Sequence, residues 1–215
     1  MVGSPARSQD PPKKVRLALA AILVLWLLYT TLHVLSVTSA VGEVWAAALG
    51  FAPGVLGVGS LLAAGLSRDQ CYLRYRPITG KGLAVLVAVF FFALAAILPV
   101  SHWTGWDWSA ALLYAPANGI SQELFFRASM LPALVVVFRG RRGISLVAHA
   151  ALFGLWHIPP LFVGAPWWAV VAVMVVAFLS GIGWGWQVQT DRTVVWAMIQ
   201  HSLIWVIGSM FTLSP

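Results

Sequence analysis

The chain of 215 residues is 60% hydrophobic and only 9% charged. A soluble domain has about a quarter of its residues charged, so this composition excludes an ordinary soluble protein and indicates one integral membrane domain. The formal net charge of +7 does not indicate a nucleic-acid partner, because the basic residues lie between apolar segments rather than on one polar face. A single cysteine, Cys71, excludes an internal disulfide and a metal site built from several cysteines.

Apolar segments follow one another along almost the whole chain. Residues 1–16, rich in proline and basic residues, predict a short cytoplasmic tail. The start of the fourth apolar segment is ambiguous, since Pro116, Asn118 and Gly119 also fit an interfacial stretch before a helix that begins near Pro116. The predicted fold class is all-α, a polytopic membrane protein with about seven transmembrane helices of about 20 residues each. The spans are predicted at 17–39, 43–66, 82–100, 109–137, 144–163, 167–187 and 194–213.

The positions of Lys and Arg predict how these helices are oriented. Of the 13 Lys and Arg residues, all except Arg127 precede the first span or lie in alternate loops. Short cytoplasmic loops collect basic residues, so the amino terminus is predicted inside and the carboxyl terminus outside, in a prokaryotic cytoplasmic membrane. The tryptophans of the opposite loops fit an outer aromatic belt. They are Trp103, Trp106, Trp108, Trp167 and Trp168.

One charged pair departs from this pattern. Glu123 and Arg127, in the stretch SQELFFRASM, lie four residues apart near the middle of the fourth span. Each charge there costs about 2.5–3.5 kcal/mol on insertion scales, and at this spacing the two side chains lie on one helix face. The pair either pins neighbouring helices together or belongs to a functional site.

Two histidines on other spans favour the functional interpretation. His157, in FGLWHIPP, and His201, in IQHSLIW, each lie within a predicted span. A carboxylate and two imidazoles from three helices can converge on one pocket and polarise a water for attack on an amide. Pro159 and Pro160 fit such a pocket, because a proline frees backbone groups that need another partner.

Other polar residues in the spans give weaker signals. A helix-packing hydrogen bond explains His149 better than a place around the site does. His33 has no evident partner and is assigned a structural role. Asn118 and Gln122 lie on a face adjacent to that of Glu123, where they either orient a water or hold helices together.

Three short motifs resemble those of a known family, the CAAX prenyl protease and bacteriocin-processing (CPBP, or Abi) intramembrane proteases. The family's first motif, Glu-Glu-x-x-x-Arg, is matched by Glu123 and Arg127 in QELFFR. Its second, Phe-x-x-x-His, is matched by Phe153 and His157, and its third, His-x-x-x-Asn or Asp, by His201 alone. The motifs agree with the family in order, spacing and helix placement, over about half of the chain.

The resemblance implies a fold and an activity. Residues 109–215 would form a core of four helices around a site in the middle of the membrane, after three amino-terminal helices over residues 17–108. The implied activity is cleavage of a peptide bond by glutamate-activated water. The implied partners are a membrane-associated peptide or protein substrate and the lipid bilayer, with no nucleic acid.

The resemblance also implies a role for each matched residue. His157 would help the glutamate activate the water, His201 would help stabilise the oxyanion, and Arg127 would orient the acidic end of the first motif. No cofactor is expected, although one carboxylate and two histidines leave a divalent metal open.

Two positions depart from the family's motifs. Gln122 replaces the first glutamate, usually assigned as the general base, and an amide does not accept a proton at neutral pH. Trp205 replaces the Asn or Asp of the third motif. Three hypotheses therefore stand: an intramembrane endopeptidase with Glu123 as base, a non-catalytic member that binds a membrane peptide, for instance in bacteriocin immunity, and an ion or proton carrier.

Overall fold

The computed structural model describes residues 12–98 and 101–213. This part of the chain is almost entirely helical, which confirms the predicted all-α fold. Most of the predicted tail, residues 1–11, lies outside the described residues, and the first helix begins at Lys13. Apart from the fourth helix, α4, the helices are α1 (Lys13–Val37), α2 (Glu43–Ala63), α3 (Gly80–Ile97), α5 (Arg142–Leu155), α6 (Trp167–Asp191) and α7 (Val195–Gly208).

The fourth helix, α4, alternates between two helical geometries without interruption. Pro116 lies at the start of an α-helical segment, where its missing amide hydrogen disturbs the helix least. The stretch before it, Ala110–Tyr114, is helical as well, so it is not a separate interfacial segment. A π-helical turn inserts a residue into an α-helix and is frequent at functional sites. The segments of α4 are π-helical Ala110–Tyr114, α-helical Ala115–Glu123, π-helical Leu124–Met130 and α-helical Leu131–Val137.

The described helices have the apolar composition of membrane spans, and most of them also have the length. Two of them, Gly80–Ala96 and Val195–Gly208, are apolar but short, so the predicted count of about seven is approximate. The five that are long and apolar enough to cross a membrane are Lys13–Val37, Trp45–Ala63, Ala111–Val137, Arg142–Val163 and Trp167–Asp191.

One predicted span, 144–163, agrees with Arg142–Val163 but has a break in its helix, and the last predicted span ends earlier in the structure. The α-helix α5 ends at Leu155 and is followed by a 3₁₀ turn, Pro159–Val163, because the two prolines have no amide hydrogen with which to continue it. The last helix ends at Gly208 instead of residue 213. Beyond it, strand β2 (Phe211–Leu213) pairs antiparallel with strand β1 (Ser101–Trp103).

Helix α4 is the centre of the bundle. In its most apolar 18-residue window 72% of the residues are buried, against 17% for α1. Glycines allow neighbouring helices to approach it closely. A Cβ on Gly54 of α2 would lie 2.9 Å from the Cβ of Leu124, and one on Gly119 of α4 would lie 2.5 Å from the Oγ of Ser202 in α7.

A second close contact joins α5 and α6. Gly181 and Gly185 in GIGWGW predict such a packing surface. In the structure, a Cβ on Gly181 would lie 3.2 Å from Cδ1 of Phe153, and one on Gly185 would lie 2.5 Å from Cδ1 of Leu146. This contact fixes Phe153, and with it the helix that leads to His157.

Loops group at two ends of the bundle, as the positions of Lys and Arg predict. At one end Arg192, after α6, pairs with Asp69 of the α2–α3 loop at 2.9 Å, and the Val194 amide donates to the Tyr72 carbonyl at 3.0 Å. Hydrogen bonds from Arg192 and Arg76 hold the pKa of the Asp69 carboxyl below its usual range. The β1–β2 pair lies at the other end. Which end faces the cytoplasm stays a prediction.

Candidate functional site

Glu123 lies inside the bundle, at the junction between an α-helical and a π-helical segment of α4. Its side chain and that of Arg127 are 0% exposed, and the Arg127 Nη1 is 3.0 Å from the Glu123 Oε1. The predicted pairing is therefore present. The guanidinium nitrogens have no hydrogen bond within the described part of the chain. Arg127 and Glu123 therefore form an ion pair at short distance whose N–H groups are not aligned for a hydrogen bond.

His201 of α7 contacts the same carboxylate. Its Nδ1 donates to the Glu123 Oε1 at 2.8 Å. The imidazole stacks on the indole of Trp184, with ring centroids 4.4 Å apart. Trp184 in turn donates through Nε1 to the Gln200 Oε1 at 2.6 Å, so α6 fixes both the ring and the turn of α7 that carries it.

Aromatic rings surround the guanidinium of Arg127. Its Cζ lies 4.1 Å from the ring centroid of Phe153, 5.1 Å from that of Trp184 and 5.9 Å from that of Phe126. Cation–π attraction, strongest where water is excluded, stabilises the charge beside Glu123. The site is thus a buried ion pair in an aromatic cage.

His157 lies just beyond the last residue of α5. Its Nδ1 donates to the Phe153 carbonyl at 2.9 Å, which leaves Nε2 as the free ring nitrogen. The Phe153 ring lies edge-on to both histidines, with centroids 5.0 Å from His157 and 6.0 Å from His201. The histidine that hydrogen-bonds Glu123 is therefore His201, whereas the resemblance implies His157 as the partner of the base.

Two further histidines have surroundings that the sequence did not indicate. The Nδ1 of His33 donates to the Trp156 carbonyl at 3.3 Å, and its ring stacks on Trp156 at 4.3 Å, so it has a partner next to His157. His149 is fully buried, and within the described residues its ring has no hydrogen bond to another helix. Its ring packs instead against Phe126, with centroids 6.4 Å apart.

The two positions that depart from the family's motifs lie in different surroundings. Gln122 is 1% exposed, and its Oε1 has no hydrogen-bond partner among residues 12–98 and 101–213. Trp205 is 38% exposed, in contrast to the buried Gln122. Asn118 is half-buried one turn before Gln122.

The donor set does not fit a metal ion. Within the described ranges, no group of three or more His, Cys, Asp or Glu side chains lies close enough to hold one. The two donors that do meet, Glu123 and His201, share their surroundings with the positive charge of Arg127. A structural zinc site uses four such ligands and a catalytic one uses three.

A family model agrees with the motifs. Residues 103–207 match the model described as type II CAAX prenyl endopeptidase Rce1-like, which confirms the resemblance and covers α4 to α7 with all of Glu123, Arg127, His157 and His201. Comparison with curated proteins and with solved structures gave no significant match.

Proposed function

Since residues 103–207 match the family model described as type II CAAX prenyl endopeptidase Rce1-like, we propose that this integral membrane protein is an endopeptidase that hydrolyses a peptide bond of a membrane-associated peptide or protein. The observation that carries the proposal is the buried contact of one carboxylate, that of Glu123, with both His201 and Arg127. A buried acid held by a cation and an imidazole is the arrangement expected of a positioned general base.

In the proposed mechanism, Glu123 activates the water. Its Oε1 is occupied by His201 and Arg127, whereas its Oε2 has no hydrogen bond within the described part of the chain. Oε2 takes a proton from water as the water oxygen bonds to the peptide carbonyl carbon, and the carbonyl electron pair moves to oxygen. Collapse of this intermediate breaks the C–N bond, and the leaving nitrogen takes the proton back from Glu123.

The histidines and the arginine assist through their free atoms. His201 holds the carboxylate through Nδ1, so its Nε2, when protonated, is the atom that donates to the oxyanion. His157 donates through Nδ1 to a backbone carbonyl, so its Nε2 lone pair accepts a hydrogen bond from the second O–H of the water, which stays on the oxygen. Arg127 balances the charge of Glu123 and limits its movement.

An apolar groove on the bundle is the proposed path for the substrate, and none of Glu123, Arg127, His157 and His201 lines it. It has a volume of about 430 Å³ and runs between α4 and α7, with Ser202 next to His201 on its wall. An extended apolar segment fits such a surface within a membrane. The groove is lined by Pro116, Ile120, Val195, Met198, Ile199, Ser202, Leu203 and Val206.

Cleavage by the purified protein tests the proposal. Full-length protein in detergent is incubated with prenylated and unprenylated membrane peptides, and the fragments are identified by mass spectrometry. We expect Glu123→Gln to lower kcat by a factor of about 10² to 10⁴, the usual contribution of a general base. Asp107→Asn, a matched change of an exposed acid outside the bundle core, should retain activity. Identical rates for wild type and Glu123→Gln would show that the assigned base is wrong.

The alternative is a non-catalytic family member that binds a membrane peptide or partner. It is favoured by Gln122 at the position of the usual base and by the complete burial of Glu123 and Arg127. Gln122→Glu separates the two functions: it should raise turnover in a slow protease, whereas a pure binding protein remains without cleavage and binds the peptide in either form.

A further inference from the structure

Helix α1, which lies outside the matched residues 103–207, contacts the broken end of the helix that leads to His157. Trp26 donates through Nε1 to the Leu152 carbonyl at 3.2 Å. About two turns further along α1, His33 donates through Nδ1 to the Trp156 carbonyl at 3.3 Å. Two carbonyls near the end of α5 are thus bound by side chains of α1.

The Trp156 carbonyl needs such a donor because of the sequence after it. In a continuing α-helix this carbonyl accepts from the amide four residues further on. That residue is Pro160, which has no amide hydrogen. Trp156 is 5% exposed, and a buried carbonyl without a partner is costly. The imidazole of His33 supplies the donor that the proline cannot.

The same bond acts directly on His157. The Trp156 carbonyl and the His157 amide nitrogen belong to one planar peptide unit, so fixing the carbonyl oxygen fixes the backbone of His157. The rings reinforce this arrangement: His33 stacks on Trp156 with an interplanar angle of 28°, and the Trp156 ring lies edge-on to His157, with centroids 5.2 Å apart.

We propose that His33 is a positioning residue whose imidazole, bonded to the Trp156 carbonyl at the proline-interrupted end of α5, fixes His157 for its role in hydrolysis. The role in hydrolysis rests on the proposed function. The hydrogen bond itself does not, and it can be measured without any substrate. The amino-terminal helix is then a part of the site and not only a support for the matched half of the chain.

Three variants of the full-length protein separate the hydrogen bond from the stacking. His33→Asn retains an amide N–H close to the position of Nδ1, whereas His33→Phe retains an aromatic ring on Trp156 without a donor. Thr31→Ala, a change of an exposed residue on the same helix, is the control. Amide hydrogen exchange by mass spectrometry reports the stability of the backbone after α5, where the His157 and Ile158 amides donate to Gly154 and Leu155. Cleavage assays report kcat and KM.

We expect His33→Phe to accelerate exchange at these amides and to lower kcat, each by about tenfold for one lost hydrogen bond, with KM unchanged. His33→Asn and Thr31→Ala should match the wild type in both measurements. Wild-type exchange in His33→Phe, or the same loss in His33→Asn as in His33→Phe, would overturn the proposal. If no form of the protein cleaves a peptide, the proposed function fails, and the exchange data alone decide whether His33 fixes this backbone.

Discussion

Arg127 and His201 hold the charge of Glu123 in the bundle interior, so removal of either side chain should lower the stability of the fold. Arg127→Met leaves a buried carboxylate without its counter-ion, which should lower the free energy of unfolding by about 3–5 kcal/mol. The double variant Glu123→Gln with Arg127→Met removes both charges and should recover most of the loss. Thermal unfolding in detergent compares the three proteins. Equal stability of the single variant and the wild type would show that the pair is not desolvated.

Sequence reasoning reached some of these residues and missed another for a clear reason. The spacing of Glu123 and Arg127 on one helix face predicts their contact, and the structure has it at 3.0 Å. His201 was expected nearby, but which histidine meets the carboxylate depends on how α5 and α7 pack, which spacing does not encode. His33 was missed because its partner is a backbone carbonyl 123 residues away. The only signal was Pro160, which indicates a carbonyl in need of a donor without naming it.

At the scale of elements, the contact of α4 with α7 sets the distance between Glu123 and His201. A Cβ on Gly119 would lie 2.5 Å from the Ser202 Oγ and 2.6 Å from its backbone nitrogen, so Gly119→Ala forces the helices apart. We expect a loss of about 1–3 kcal/mol in stability, measured by thermal unfolding, and a lower cleavage rate. Gly59→Ala is the control: a Cβ there meets nothing within 4 Å, and the change should be neutral or stabilising. Equal effects of the two changes would contradict the close packing.

Hydropathy located the helices better than it located their ends. Apolar composition continues past Leu155 and past Gly208, so it extended two spans through a proline break and into strand β2. Those ends are decided by amide hydrogens and strand pairing, which an average over side chains does not detect. The π-helical turns of α4 likewise had no predictor in the sequence, although one of them carries Arg127.

For the whole molecule, charge reasoning predicted more than hydropathy did. The loops expected on one side of the membrane are in contact: Arg192 of the α6–α7 loop binds Asp69 of the α2–α3 loop. Hydropathy alone gives spans but not the side on which each loop lies. Contacts between particular loop residues follow from tertiary packing. The sequence could therefore predict which loops share one end of the bundle, but not which residue pairs form there.

The orientation of these two ends in the membrane is the last prediction, and the single cysteine makes it measurable. Cys71 is buried, and burial raises the pKa of its thiol to about 11, so at about neutral pH little thiolate is present and the native chain should react slowly with maleimide. Ser67→Cys places an exposed thiol at the basic end, and Thr104→Cys places one at the opposite end.

With the amino terminus in the cytoplasm, a membrane-impermeant maleimide should label Thr104→Cys in intact cells and Ser67→Cys only after the membrane is opened. The unmodified chain is the control for both, and its own labelling should rise only as the pH approaches the raised pKa of Cys71, because the thiolate is the reactive form. Labelling of Ser67→Cys in intact cells, with Thr104→Cys protected, would mean the inverted orientation, with the basic loops outside the cell.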